Sequence, residues 1–176
     1  MDIQVGAPGQ IIPPVERGVS AGVKMEELNY DAIWWPDHLM GWHPDSMWNE
    51  DFTPLAKHQS SSHVHVDPFA MMAAVGVQTD RIRLGTCVTD VLRRHPASIA
   101  QTMLTLDHMT KGRAILGVGS GEQLNIQPYG IAWEKPVGKL AEGLEIIRLL
   151  MNAGSESVDF EGKYFKLQDA VMGLDP

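Results

Sequence analysis

A chain of 176 residues, 44% apolar and 20% charged with a formal net charge of −8, has enough apolar content for one folded domain and too much to stay disordered. The acidic balance argues against a nucleic-acid surface, no run of about eighteen apolar residues is present to span a membrane, and the N-terminal MDIQVGAPGQ lacks the basic-then-apolar pattern of a secretory signal. The single cysteine, Cys87, has no internal disulfide partner, which fits a reducing cytoplasm.

Ile3 to Gly6 reads as a short strand ended by Ala7-Pro8-Gly9. Pro13-Pro14 opens a helical stretch, since proline suits the first helical turn, and Val15, Val19 and Val23 recur toward Leu28 as one apolar stripe. Asn29-Tyr30-Asp31 breaks it, and Ala32 to Trp35 is an aromatic strand stopped by Pro36. An irregular connection rich in proline and histidine runs from Asp37 to Val66; connections of that length are usually functional, so 37–66 is expected to be an active-site loop. Asp67-Pro68 reads as N-cap and first-turn proline of a helix from Phe69 to Gln78, and Arg81 to Val88 follows as a strand. His95-Pro96 starts a helix to Met109 with Ile99, Met103 and Leu106 on one face. Ala114 to Gly119 is apolar throughout, which predicts a strand covered on both sides. Pro136 to Met151 carries Val137, Leu140, Leu144, Ile147 and Met151 at helical spacing, with Gly154 as cap, and 155–176 reads as an extended tail or hairpin.

The order is strand then helix, four times, which implies an α/β fold with a parallel sheet. Both an open doubly wound sheet and a barrel place their working residues at the C-terminal ends of strands. Collected there are Asp37, His38 and Trp42, then Thr89, Asp90 and Arg93-Arg94, then Ser120, Gly121, Glu122 and Asn125. His38 is either a hydrogen-bonded structural residue or an imidazole placed to stabilise charge on a reacting ring or carbonyl. Glu122 is either an ordinary surface glutamate or a partly desolvated proton donor. Gly117-Val-Gly119-Ser-Gly121 is not a dinucleotide fingerprint, because its third glycine comes too soon. His63-Val-His65 has the spacing of a metal-ligand pair but lies in a serine-rich loop, with Asp67 better used as an N-cap, so no metal is expected. Trp34, Trp35, Trp48 and Met71-Met72 read as core or lid packing, and Arg93-Arg94 as a solvated pair or an anion contact.

Asp31-Ala-Ile-Trp-Trp-Pro-Asp-His-Leu-Met-Gly-Trp42, Arg83-Leu-Gly-Thr-Cys-Val-Thr-Asp90, Arg94-His-Pro-Ala-Ser-Ile-Ala-Gln101 and Gly112-Arg-Ala-Ile-Leu-Gly-Val-Gly-Ser-Gly-Glu122, in that order, resemble the bacterial luciferase-like superfamily. Within it the chain is most similar to the coenzyme F-420-dependent oxidoreductase branch, with its phthiodiolone ketoreductase-like and F-420-dependent glucose-6-phosphate dehydrogenase-like members. The resemblance implies a partial luciferase-like barrel over 1–176, the N-terminal half (four βα units) of a (β/α)8 TIM barrel. It implies hydride transfer between coenzyme F-420 and a carbonyl or alcohol of a small-molecule substrate. His38, Trp42 and Glu122 would be catalytic: the imidazole by the ring, the indole as a cavity wall, the carboxyl as acid or charge partner. Asp37, Cys87, Val88 and Asn125 would bind the cofactor, with a bulge at Cys87-Val88 that in this family often holds a non-proline cis peptide. Alternatives are an FMN-dependent luciferase-like monooxygenase and a non-catalytic truncated assembly module. The family buries the helices Phe69–Gln78 and Pro96–Met109 in a dimer, so a homo-oligomer is expected. Members run to about eight units where this chain has four; a half barrel leaves Ile3–Val5 and Ala114–Gly119 as open edges, implying either a longer protein or pairing with another half.

Overall fold

The computed structural model describes residues 3–41 and 43–176. Its frame is a parallel four-stranded sheet in the order β1 (Gly6–Pro8), β2 (Ala32–Trp35), β3 (Arg83–Thr86) and β5 (Ala114–Ile115). Helices α1 (Val15–Glu27), α2 (Pro68–Gly76) and α3 (Pro96–Thr110) connect the successive strands, and the longer α5 (Pro136–Asn152) follows and packs on α3. A short pair, β4 (Thr89–Asp90) and β6 (Val118–Gly119), extends the strand ends, and α4 (Gln123–Ile126) follows it. The antiparallel hairpin β7 (Val158–Glu161) and β8 (Lys166–Ala170) closes the chain over α5.

Strand alternation sorts the side chains of β2. Ile33 and Trp35 are buried with Leu84 of β3 and Phe69, Met72 and Val75 of α2. Trp34 points to the other face, over Gly6 of β1 and Gly85 of β3; a Cβ at Gly6 would lie 2.6 Å from the indole Nε1. That requirement shifts β1 from the expected Ile3–Gly6 to Gly6–Pro8, where the backbone meets Ala32–Trp34 in register. Ile3 and Val5 stay exposed, with Val5 held by the Asp31 carboxylate through its N–H at 2.7 Å.

The expected valine stripe of α1 is only in part its buried line: Val19 packs against the core, and the fully buried positions are glycines. Val15 and Leu28 are exposed, while Gly18 and Gly22 are buried against Met71 and Val75. The absence of side chains lets α1 approach α2 closely, and a Cβ at Gly22 would sit 2.6 Å from Val75 Cγ1. Glu26 ties the end of α1 to the turn before β3 by accepting from the backbone N–H groups of Asp80, Arg81 and Ile82. Arg113 performs the same task below β5, donating to the carbonyls of Gly76, Thr79, Ile82 and Thr110.

Ile99, Met103 and Leu106 of α3 are buried as the spacing predicts. On α5 the buried line is Gly143, Ile146, Ile147 and Leu150, and Val137 is exposed because the helix turns that end toward solvent. Ala114 to Gly119 is only half-buried, not covered on both sides, because β5 is a sheet edge with no strand beyond it among the described residues, the open edge expected of a half barrel. Among the described residues no helix is long and apolar enough to cross a membrane.

Candidate functional site

The segment expected as one strand, Arg81 to Val88, stops at Thr86 and resumes at Thr89. Between them lies the Cys87-Val88 bulge, whose peptide bond is cis. The bulge is fastened on both sides: Cys87 N–H donates to the Trp35 carbonyl at 2.7 Å, and Thr89 N–H donates to the Gly117 carbonyl at 2.9 Å. The Thr86 hydroxyl donates to Gly117 O at 2.8 Å and accepts from Gly117 N at 3.0 Å, which breaks β5 from β6 at the same level. Val88 is thereby left 46% exposed, an apolar surface in the mouth of the sheet.

The bulge forms one side of a cavity of about 360 Å³, with Asp37 and His38 beyond β2 and Gly119, Ser120, Glu122 and Asn125 beyond β6 around it. The structure thus brings Asp37, His38, Cys87, Val88, Glu122 and Asn125 to one place. Trp42, read as a cavity wall, lies outside the described residues.

His38 Nε2 stands 3.9 Å from a Glu122 oxygen, close enough for charge attraction and too long for a hydrogen bond. The Glu122 side chain is 51% exposed, so the partial desolvation expected for it is not supplied by the residues around it. Gly121, at φ +80°, makes the turn that presents Glu122; a Cβ there would also crowd Leu92 Cδ1 at 3.0 Å.

Asp37 is the most tightly held carboxylate of the site. It is 4% exposed and accepts from Thr89 Oγ1 at 2.6 Å, Arg93 Nη1 at 3.1 Å and Arg94 Nε at 2.9 Å. Burial pushes its pKa up, but the Arg94 and Thr89 hydrogen bonds and the two guanidinium charges outweigh that and hold it below the usual carboxylate range. Arg93 is itself 6% exposed in its side chain and shared with Asp90, whose Oδ2 is 2.6 Å from Nε. Arg94 reaches on from Asp37 to Asp67 and lies 4.7 Å over the Phe69 ring. Arg93-Arg94 is therefore neither a solvated pair nor an open anion contact; both cations are spent on buried carboxylates. Sequence reading missed this partnership, although an arginine pair one turn after Asp90 in an acidic chain was the available signal.

Asn125 is also engaged within the fold. Its Oδ1 accepts from Leu39 N–H at 2.8 Å and its Nδ2 donates to Met40 O at 2.7 Å, so the amide fixes the turn that follows His38. The short helix α4 that carries it was not anticipated, because four residues are too few for a periodic signal. Just after the 37–66 segment, Asp67 caps α2 through Ala70 N–H at 3.0 Å, and within it His63 pairs with Asp45 at 3.2 Å. Among the described residues no group of three or more His, Cys, Asp or Glu is placed to hold a metal ion.

The model of the family described as luciferase-like monooxygenase matches residues 2–176. The chain is 38% identical over 168 residues to a phthiodiolone/phenolphthiodiolone dimycocerosates ketoreductase of Mycobacterium tuberculosis, covering 94% of this chain and 44% of that protein. It is 36% identical over 152 residues to an F-420-dependent glucose-6-phosphate dehydrogenase of Nakamurella multipartita, covering 85% of this chain and 40% of that one. Among solved structures, an F-420-dependent secondary alcohol dehydrogenase in complex with an F-420-acetone adduct superposes with a TM-score of 0.78 at 28% identity, covering 100% of this chain and 50% of the other. The chain spans about half the length of these relatives or less. The parallel sheet, its connecting helices and the match over nearly every residue agree: the chain belongs to the luciferase-like monooxygenase family, as one half of its barrel.

Proposed function

We propose that this chain carries the hydride-handling half of a coenzyme F-420-dependent oxidoreductase, acting between that cofactor and a carbonyl or alcohol of a small substrate. The observation that carries the reading is the meeting of His38, Glu122 and the Val88 bulge on one cavity, in a chain similar to F-420-dependent enzymes.

The residues present fit a planar deazaflavin ring. Val88 offers an exposed apolar face, Gly119 lies beside it with no side chain to cover it, and His38 Nδ1 is a buried ring nitrogen with no partner among the described residues. When bound, coenzyme F-420 supplies a two-electron hydride carrier that reacts poorly with oxygen. The protein's share is to bind, orient and manage one proton.

Val88 and Cys87 would hold the ring from the bulge side of the cavity. His38 supplies the proton that a carbonyl oxygen needs as its carbon gains hydride, and accepts it again in the alcohol direction. Glu122 balances the imidazolium charge. Asp37 and Asn125 line the same cavity and fix the backbone on either side of His38. The groove between α2 and α3, lined by Ala70, Ala73, Thr102 and Met109, is the face assigned to a homo-oligomer contact. The test is oxidation of reduced F-420, followed by absorbance, with ketones and aldehydes of increasing size. Carbonyl-dependent oxidation supports the proposal. Oxygen-dependent turnover with reduced FMN, or no turnover with either, overturns it.

A further inference from the structure

Resting on that assignment of His38, we propose that His65 is a positioning residue: its ring stacks on His38 and fixes the plane in which the His38 imidazole meets the cavity. The two ring centroids are 5.4 Å apart with planes 30° from parallel. A histidine that works on a substrate is usually oriented by a hydrogen bond to its second nitrogen. His38 lacks one: its Nδ1 is buried without a partner among the described residues, and Nε2 has only Glu122 at 3.9 Å. Among the described residues, the flat contact with His65 is the orienting contact that remains.

His65 is suited to that task because its backbone is anchored on both sides. His63 Nδ1 lies 3.1 Å from Gly41 O and its N–H donates to Ser61 Oγ. Val66 N–H donates to Ile11 O at 2.9 Å, and Asp67 caps α2. Arg94 then joins the two histidine segments directly, bridging Asp37 beside His38 and Asp67 two residues after His65. His65 Nδ1 is likewise buried without a hydrogen-bond partner among the described residues. Burial, and then the imidazoles of His38, His63 and His43, favour the neutral ring at this position, against a contact with the His63 backbone. A neutral flat ring can lie on an imidazole that charges and discharges. His65 also borders a second cavity of about 280 Å³ between the β1–α1 turn and the 37–66 loop.

The test compares His65→Ala, His65→Leu and His65→Phe. In the ligand-free protein, the His38 ring proton signals report the stack through ring-current shifts. They move in His65→Ala and His65→Leu and stay near wild type in His65→Phe. In turnover with reduced F-420, the first two lower kcat about tenfold while the KM for cofactor stays within about twofold, and His65→Phe recovers most of the loss. His65→Leu fills the space without a ring, so it serves even where His65→Ala fails to fold. Unchanged His38 signals in both ring-deleted variants overturn the proposal, as does a failure of His65→Phe to restore them. If the wild type shows no F-420 turnover, the functional reading fails, and the stacking inference is still decided by the His38 signals.

Discussion

Asp37→Asn removes the negative charge at the centre of the Thr89–Asp37–Arg93–Arg94 network while keeping its volume. Removing one partner from a buried ion pair costs about 3–5 kcal/mol. The structure argues for less here. Arg93 keeps Asp90 at 2.6 Å, and Arg94, with 33% of its side chain exposed, keeps Asp67. About 2–3 kcal/mol is therefore expected, within the range for one broken member of a buried charge network. Urea denaturation with a slope of about 2 kcal/mol per molar would show the midpoint falling by about 1–1.5 M. The control is Glu27→Gln, which breaks the pair with Lys24 at 2.7 Å; with side chains 65% and 58% exposed, it should stay within about 0.5 kcal/mol. An Asp37→Asn midpoint within about 0.3 M of wild type at unchanged slope would refute the claim that this network is a structural anchor of the site.

Gly22→Ala adds a methyl against both branches of Val75, at 2.6 and 2.9 Å, and overpacking of about 1–3 kcal/mol exceeds the helix-propensity gain of about 1 kcal/mol. Thermal melting should show a net loss, and a stabilised variant would contradict close α1–α2 packing. Acidification should weaken the fold in two stages. The lowered His65 pKa makes its contribution complete above about pH 6.5 and progressively lost below it, because the unfolded chain then binds the extra proton. The lowered values of Asp37 and Glu26 give contributions complete above about pH 4 and lost as pH falls through the folded-state values. Urea midpoints measured against pH should lose the first stage in His65→Phe; parallel curves for the two proteins would count against it. His38→Ala should lower turnover about a hundredfold or more while F-420 affinity changes less than about threefold; near-normal turnover would make His38 structural.

The βα order was legible because strands are bounded by proline, glycine or an Asx residue and two of the helices begin with a capping residue followed by proline. Asp67-Pro68 and His95-Pro96 start α2 and α3 where the sequence places them. What failed did so for tertiary reasons. Val15, Val19 and Val23 make a convincing stripe, yet the bulk of Met71 and Val75 selects Gly18 and Gly22 as the contact line. The apolar run Ala114–Gly119 by itself suggested a strand covered on both sides, since periodicity does not report whether a further strand lies alongside, whereas the count of four βα units already implied an open edge there. At the site, His38 and Glu122 were reachable from their positions after strands, and Val88 only through the family resemblance. The Arg94 bridge and the His38–His65 stack were not, because they join residues brought together by two separate connections.

The central claim is that the cavity between the Cys87-Val88 bulge and Glu122 accepts a deazaflavin. Its most direct test is titration of the protein with oxidised F-420, followed by the cofactor's own fluorescence anisotropy, beside a parallel titration with FMN. Saturable F-420 binding that is weakened by enlarging Gly119 to valine, with FMN bound more weakly, is the predicted result. Preferential FMN binding, or F-420 binding indifferent to that substitution, would contradict it.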